Sequence, residues 1–169
     1  MTQKEQMVSE SIFYSAEIYF SYSQFQVFDS SVSLPGCAWT DEHYRQGFAR
    51  REPNVSFGTM LEFGHGDVAV HLGPYKPEDE HERVIEVPIE VSSGEVVIGG
   101  PEEYPNKHIV KMRKGHYRLV AAQSVTGDDR EAIDLYFEEL TEPLAASRII
   151  VADDALHPPS PLIEGVDMA

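Results

Sequence analysis

Alternation of apolar and polar residues with a period of two runs through most of the chain. Residues 85–91 give the clearest case, because they read Ile-Glu-Val-Pro-Ile-Glu-Val. Successive side chains of a strand point to opposite faces of a sheet, so this pattern predicts a strand with one buried face. Proline cannot donate a backbone hydrogen bond, and Pro88 therefore predicts that this strand lies at an edge of its sheet.

Similar patterns predict strands along the rest of the chain. The Gly-His-Gly-Asp stretch at 64–67 predicts the turn of a hairpin between strands at 55–63 and 68–72. The acidic, proline-containing stretch at 74–82 predicts an exposed loop. Residues 129–140 fit helical and strand spacing equally well, and their aromatic content favours a strand. Further strands are predicted at 18–27, 96–98, 109–112 and 117–124.

One segment predicts a helix. Thr40 is a favourable N-cap, and the two acids that follow it place negative charge at the positive helix end. Trp39 and Tyr44 have the spacing of a hydrophobic staple. We expect a helix over 40–51, with Tyr44 and Phe48 facing the sheet and a Glu-Pro pair ending it. The elements together predict an all-β fold, a β-sandwich of about seven or eight antiparallel strands with one short helix at 40–51.

The length of 169 residues suits one globular domain. We expect an N-terminal extension at 1–15, a β-sandwich domain at 16–140 and an acidic, proline-containing C-terminal appendage at 141–169.

Charge narrows the classes of partner. The chain carries 29 acidic and 13 basic residues, a formal net charge of −16. Eleven acids against two bases follow Gly127, while the bases Lys107, Lys111, Arg113, Lys114 and Arg118 form a stretch without an acid. A strongly acidic surface repels phosphate backbones and anionic lipids, so we expect no direct binding of nucleic acid or membrane. A basic protein partner is the expectation instead.

The absence of a signal-peptide pattern and of an apolar run near 20 residues predicts a cytoplasmic protein, with membrane association only through a partner. The single cysteine, Cys37, cannot form an internal disulfide, and we expect it to be an unreactive thiol in a turn.

Catalytic patterns are weak in this sequence. The seven histidines do not follow metal-ligand spacing, and the pairs of acids are typical of solvated charge. We therefore expect no catalytic residues, no metal ligands and no cofactor. Two alternatives stay open: a β-sandwich module that binds a ligand or calcium, and a hydrolase. The hydrolase would require that at least two of His65, His71, His108 and His116 converge with a carboxylate.

Several short blocks stand in an order that is typical of one family. They are Ser-Tyr-Ser-Gln-Phe-Gln-Val-Phe-Asp at 21–29, Trp-Thr-Asp-Glu at 39–42, Gly-Phe-Ala at 47–49, Val-Ser-Phe at 55–57, the strand at 87–91 and Lys-Gly-His-Tyr-Arg-Leu at 114–119. With these blocks the chain resembles the competence protein J family over roughly residues 16–140. The N-terminal extension and the tail after residue 140 depart from that family.

The resemblance implies a protein without enzymatic activity that binds a bacterial nuclease and blocks it during DNA uptake. Together with the net charge of −16, it leads to the hypothesis of an acidic nuclease inhibitor, with an immunity-type antidote to a toxin nuclease as a variant. The resemblance also implies that residues 129–140 form a strand. Carboxylates could lie where phosphates would lie in the positive groove of a nuclease, with aromatic anchors beside them. The predicted partner-binding residues are Asp128, Asp129, Glu131, Glu138, Glu78, Asp79, Glu80 and Tyr136. Tyr19 and Tyr104 are further candidate anchors, while Trp39 is expected to serve the helix.

Overall fold

The structure, a computed structural model, describes residues 12–33, 35–103 and 108–165. One short helix, α1 (Asp41–Gln46), lies between the second and third strands. The strands in chain order are β1 (Tyr14–Phe20), β2 (Gln24–Asp29), β3 (Phe48–Arg51), β4 (Asn54–Gly58), β5 (Gly64–Leu72), β6 (Arg83–Val91), β7 (Glu95–Gly99), β8 (His108–Lys111), β9 (Gly115–Gly127), β10 (Arg130–Leu140) and β11 (Arg148–Val151).

The strands form two sheets. The six-stranded sheet has the order β1-β5-β10-β9-β6-β11, and the five-stranded sheet has the order β3-β4-β2-β7-β8. Phenylalanines of both sheets, among them Phe20, Phe25, Phe57 and Phe137, are buried in one shared core. Burial alternates along β5 and the first half of β10, as the sequence pattern requires. In contrast, β2, β4, β6 and β7 are buried along nearly their whole length, so the single buried face predicted for residues 85–91 is wrong. The predicted mostly-β fold with one short helix is confirmed.

Two details of the predicted strands are corrected. The described residues form eleven strands, because residues 18–27 split into two strands and short strands form at 48–51 and 148–151. One pair, β5 and β10, is parallel, whereas all pairs were expected to be antiparallel. The apolar positions change from even numbers at Ile18 and Phe20 to odd numbers at Phe25, and this change marks the turn that moves the chain between sheets.

The predicted turn at 64–67 is also wrong. These residues begin β5 and pair with both β1 and β10. The glycines serve close packing here, since a Cβ on Gly66 would lie 2.8 Å from the Ile133 side chain. The loop predicted at 74–82 is confirmed as an exposed connection, although His81 within it is buried.

The helix is shorter than predicted. Thr40 caps it as expected, but Gly47 takes a left-handed conformation with φ +83° and ends it, so the next residues continue as β3. The buried helical side chains are His43 and Gln46, while Tyr44 is 53% exposed and packs beside Trp39.

The prediction that the strand containing Pro88 lies at a sheet edge holds for only part of β6. The strand lies between β9 and β11, but β11 pairs only with residues 84–86. Beyond them, the Glu90 N–H on the open side donates to the Glu52 carboxylate over 2.6 Å. Pro88 therefore lies where β6 has no second strand partner, which is the position that a proline tolerates.

The segment predicted as an appendage packs onto the sandwich where the structure describes it. It supplies β11, and Leu156 is 5% exposed within the core. The Gln46 side chain bonds to the backbone of Ile163 in both directions, and Arg50 pairs with Glu164 over 3.1 Å.

Candidate partner-binding surface

Three connections meet at one end of the sandwich. They are the β1–β2 turn at 21–23, the β4–β5 loop at 59–63 and the β9–β10 turn at 128–129. We call their exposed side chains the turn end: Tyr22, Glu62, Phe63, Asp128 and Asp129.

Backbone hydrogen bonds join the three connections. The Ser23 N–H donates to the Glu62 carbonyl over 2.8 Å, and the Thr59 N–H donates to the Ser23 carbonyl over 2.9 Å. The His65 N–H donates to the Asp129 carbonyl over 2.8 Å. The loops of the turn end are therefore held by main-chain bonds, which fix their relative positions.

Two aromatic side chains of the turn end face solvent. Tyr22 is 68% exposed and Phe63 is 59% exposed. Tyr22 and Ser23 both have left-handed φ values, +54° and +56°, at the two central positions of their turn. Such turns favour asparagine and glycine, and a tyrosine at φ +54° is strained by about 1 kcal/mol or more. Stability alone does not explain an exposed tyrosine at this position.

Glu131 organises the turn end from below. Its side chain is 0% exposed, and its Oε2 accepts a hydrogen bond from the Leu61 N–H over 2.9 Å. Burial raises the pKa of the Glu131 carboxyl, and the hydrogen bond from the Leu61 N–H offsets part of this rise. The sequence placed Glu131 among partner-binding residues, but its burial removes it from the surface and makes it a positioning residue.

A buried polar network continues from this carboxylate toward the tail. Gln123 Nε2 and Arg83 Nη1 both donate to the Gly58 carbonyl, over 3.1 and 2.9 Å. The Arg83 guanidinium also makes two bonds to the Asp153 carboxylate, of 2.6 and 3.0 Å. These bonds link the two sheets and the C-terminal segment directly beneath the loops.

The acids at the tips of the turns lack cationic partners. Asp128 and Asp129, like Asp79 and Glu80 in the β5–β6 connection, are exposed and form no ion pair with another described residue. Most carboxylates elsewhere on the sheet are neutralised, as where Arg130 contacts both Glu17 and Asp67, over 2.9 and 2.7 Å. These connections therefore carry negative charge that no ion pair with a described residue neutralises.

The β5–β6 connection, residues 73–82, crosses the outer face of the six-stranded sheet over β10 and β9; we call it the crossover loop. It exposes Glu78, Asp79 and Glu80. Its last residue, Glu82, accepts a bond from the Val125 N–H over 3.0 Å, so the loop returns toward the turn end.

Tyr136 lies beneath the crossover loop. Tyr75 of the loop covers it edge-on at 5.4 Å, His71 stacks on it at 4.4 Å, and its side chain is 3% exposed. Burial raises the pKa of the Tyr136 hydroxyl, since the charged form would be poorly solvated there. The predicted anchor is thus covered by the protein itself.

A cluster of two imidazoles and a carboxylate also lies beneath this loop. His71 Nε2 is 3.0 Å from Asp134 Oδ1, and His81 Nε2 is 3.2 Å from Asp134 Oδ2. Burial raises the pKa of Asp134, but the hydrogen bonds from both histidines outweigh it and leave the pKa below its usual range. These contacts hold the crossover loop against β10.

The remaining predicted residues lie apart from the turn end. Glu138 pairs with Arg118 over 2.7 Å, and it lies at the opposite end of β10 from the β9–β10 turn. Tyr19 is 38% exposed and packs edge-on against His65. Tyr104 and Lys107 lie outside the described residues.

The four histidines named for a hydrolase occupy separate positions where their contacts are described. His71 bonds to Asp134, His65 Nδ1 is 3.6 Å from Glu17, and His108 Nδ1 is 3.4 Å from the Tyr14 hydroxyl. These contacts do not bring two of the four onto a shared carboxylate.

An open cleft lies at the other end of β5 from the turn end. Its walls include Ile12, Phe13, Leu72, Lys76 and Tyr136. Within the described part of the chain, no helix is long and apolar enough to cross a membrane.

Sequence reasoning missed Tyr22, Glu62 and Phe63. Tyr22 fitted an alternating strand pattern, and Phe63 fitted the end of a predicted strand, so both were expected to belong to strands. The signal for this turn in the sequence is that the apolar positions are even-numbered up to Phe20 and odd-numbered from Phe25.

Comparison with known proteins supports the resemblance noted in the sequence. The sequence profile of competence protein J (ComJ) matches residues 17–142. The crystal structure of ComJ from Bacillus subtilis, described as an inhibitor of the DNA degrading activity of NucA, is similar with a TM-score of 0.66 and 21% identity, over 76% of this chain and 97% of that one. A structure described as "Crocagin biosynthetic gene J" has a TM-score of 0.49 and 20% identity, over 73% of this chain and 96% of that one. No curated protein sequence matches.

The family profile spans about three quarters of the chain and includes every strand from β2 to β10 together with most of β1. The chain therefore belongs to the competence protein J family.

Proposed function

We propose that the protein is a non-enzymatic inhibitor of a bacterial nuclease and that the turn end is the surface that contacts the nuclease. The observation that carries the proposal is family membership, since the solved family member from Bacillus subtilis is described as an inhibitor of the DNA degrading activity of NucA. We expect the protein to act in the cytoplasm and to reach a membrane only through its partner.

Charge supports a nuclease as the partner. A nuclease must attract a polyanion, so its substrate groove is positive. The net charge of −16 and the unpaired carboxylates Asp128 and Asp129 complement such a groove. Carboxylates at phosphate positions would block DNA without being cleaved, and the acids of the crossover loop extend the negative field beside them.

The exposed aromatic side chains are expected to supply most of the binding energy, which charge alone does not supply. Interface energy is concentrated in a few buried residues, among which tyrosine is enriched, and rim charges mainly change the association rate. Tyr22 and Phe63 are two exposed rings of the turn end, with Glu62 and the two aspartates around them. The strained turn holds the Tyr22 ring outward before binding, so less conformational entropy is lost on association.

The first experiment tests the activity itself. The purified protein is mixed with a bacterial nuclease of the NucA type, and cleavage of linear DNA is followed over a range of molar ratios. We expect cleavage to stop at a stoichiometric ratio. Full cleavage, with no complex detected at micromolar protein, would refute the proposed function.

The second experiment tests the surface. We expect Tyr22→Asn to weaken inhibition by about thirtyfold, the loss typical of a central interface residue. Asparagine accepts the left-handed conformation better than tyrosine, so the same variant keeps or slightly raises the melting temperature. Loss of affinity without loss of stability identifies the ring as a contact.

Ser23→Gly is the matched control in the same turn. It relieves strain at φ +56° and removes no aromatic ring, so we expect inhibition like that of the wild type. The double variant Asp128→Asn/Asp129→Asn should slow association several-fold at low salt and have less effect at high salt. Wild-type inhibition by both Tyr22→Asn and Phe63→Ala would show that the nuclease binds elsewhere.

A further inference from the structure

We propose that Glu78, His81 and Asp134 form a binding site for a divalent transition-metal ion, for which Zn²⁺ is the probe. This site lies beneath the crossover loop, and the inference does not depend on the proposed nuclease partner.

The donor atoms lie close together. One donor atom from each residue lies within 4.8 Å of the other two. His81 Nε2 is 3.2 Å from Asp134 Oδ2 and 3.9 Å from Glu78 Oε2. Ligand atoms of a tetrahedral zinc site are about 3.4 Å apart, given bonds of about 2.0–2.2 Å. The exposed, rotatable Glu78 side chain can supply the remaining adjustment.

The backbone arranges two of the ligands. The His81 N–H donates to the Glu78 carbonyl over 3.2 Å, which makes residues 78–81 a turn with both side chains on the approach to the sheet. Asp134 comes from the middle of β10, which pairs on both sides. A turn that supplies two ligands above a rigid strand that supplies the third is a suitable frame for an ion.

The imidazole is oriented for coordination. His81 is 8% exposed overall, and its Nδ1 is 3.2 Å from the Tyr75 hydroxyl, so Nε2 faces the two carboxylates. Histidines that bind metals usually engage the second ring nitrogen in such a hydrogen bond, which fixes the ring and the tautomer.

Asp134 is held in a similar way. Its Oδ1 contacts His71 Nε2 over 3.0 Å, while Oδ2 faces His81. His71 in turn stacks on Tyr136 at 4.4 Å. The carboxylate thus has one oxygen fixed by a supporting imidazole and one directed into the proposed site.

The ligand set selects the kind of ion. One nitrogen and two carboxylate oxygens suit zinc or a similar transition metal, whereas calcium requires six to eight oxygens. Water can complete the coordination, because Glu78 lies at the exposed side of the site. A bound ion would fasten the crossover loop to β10.

The test uses the full-length protein after dialysis against a chelator, with Zn²⁺ alone as the ligand. We expect one Zn²⁺ per chain by titration calorimetry. At a hundredfold excess over the dissociation constant we expect the melting temperature to rise by about 5–10 °C. Glu78→Gln, a change of an exposed side chain that leaves the fold intact, should weaken binding at least tenfold, and His81→Gln should abolish it.

His65→Gln is the matched control, because His65 lies on the same sheet face and 3.6 Å from Glu17. It should bind Zn²⁺ as the wild type does. The inference is overturned if the wild type shows no saturable Zn²⁺ binding below about 1 mM. It is also overturned if Glu78→Gln and His81→Gln both bind like the wild type, or if only Ca²⁺ raises the melting temperature.

Discussion

Asp29 at the end of β2 offers a sharp test of how the fold is held together. The side chain is 0% exposed, and its Oδ1 accepts hydrogen bonds from the N–H groups of Ser92 and Ser93, over 2.9 and 3.0 Å. Oδ2 accepts from the Ser31 N–H over 3.0 Å. These bonds secure the turn that carries the chain from β6 in one sheet to β7 in the other.

The size of the effect follows from the pKa of this group. Burial raises the pKa of Asp29, but the bonds from Ser31 and Ser93 outweigh it and lower the pKa to about 2. Against about 3.9 in the unfolded chain, this makes ionisation contribute about 2.5 kcal/mol to the free energy of unfolding at neutral pH. Because the folded pKa is depressed, the contribution is complete above about pH 5 and is lost as the pH falls through 4 toward 2.

The assay compares urea unfolding of the wild type and Asp29→Asn at pH 7 and pH 3. We expect the variant to be less stable by about 2–3 kcal/mol at pH 7 and the difference to fall to about half of this at pH 3. Asp79→Asn, an exposed carboxylate in the crossover loop, is the control and should change stability by less than about 0.5 kcal/mol.

Two results would contradict this reasoning. If Asp29→Asn lowers the free energy of unfolding by less than about 0.5 kcal/mol at pH 7, the hydrogen bonds to this carboxylate contribute little to stability. A loss of the same size at both pH values would show that geometry, and not the charge of the carboxylate, holds the turn.

Three further predictions concern the tail and the turn end, each measured by urea unfolding. Leu156→Ala should cost about 2–4 kcal/mol, because this tail residue is buried in the core; a loss below about 1 kcal/mol would show that the tail only lies on the surface. Asp153→Ala should cost about 3 kcal/mol, since it leaves the buried Arg83 guanidinium without its carboxylate, whereas a neutral effect would mean that water replaces the pair. Gly64→Ala should cost more than about 2 kcal/mol, because a Cβ would lie 2.3 Å from the Asp129 carbonyl oxygen; Gly165→Ala, with open space around it, is the control.

The sequence predicted the helix start better than the helix end. Thr40 and the acids after it are local signals, because a cap is made within four residues. The end at Gly47 depends on tertiary packing: the left-handed glycine lets the backbone approach Ile85 and Leu156, where a Cβ would be 2.9 Å from each side chain. Neither neighbour is close in sequence, so the local pattern extended the helix to residue 51.

The strand partners were likewise beyond local patterns. Alternation identifies a strand and its buried face, but it does not identify the neighbour. The parallel pairing of β5 with β10 joins residues more than 60 positions apart. Residues 64–67 contain two glycines, and local rules therefore predict a hairpin turn there. In the structure these residues begin β5, which pairs with β1 on one side and β10 on the other.

For the candidate surface, too, the sequence predicted some of the residues and the tertiary structure decided others. The sequence alone identified Asp128, Asp129 and the acids of the crossover loop as exposed, because charged residues in turns are exposed in most folds. Glu131 shows the limit of that reasoning, since it is equally acidic but its position on the inner face of β10 buries it.

By itself the sequence determined the class of fold, the family blocks, the acidic character and the existence of most strands. These properties depend on residue type and on periods of two to four residues, which are local. Tertiary structure alone decided which acids are exposed, that Tyr136 is covered while Tyr22 and Phe63 are presented, and that His81 and Asp134 meet. Those outcomes depend on contacts between distant segments, whose register is set by the packing of the whole sheet.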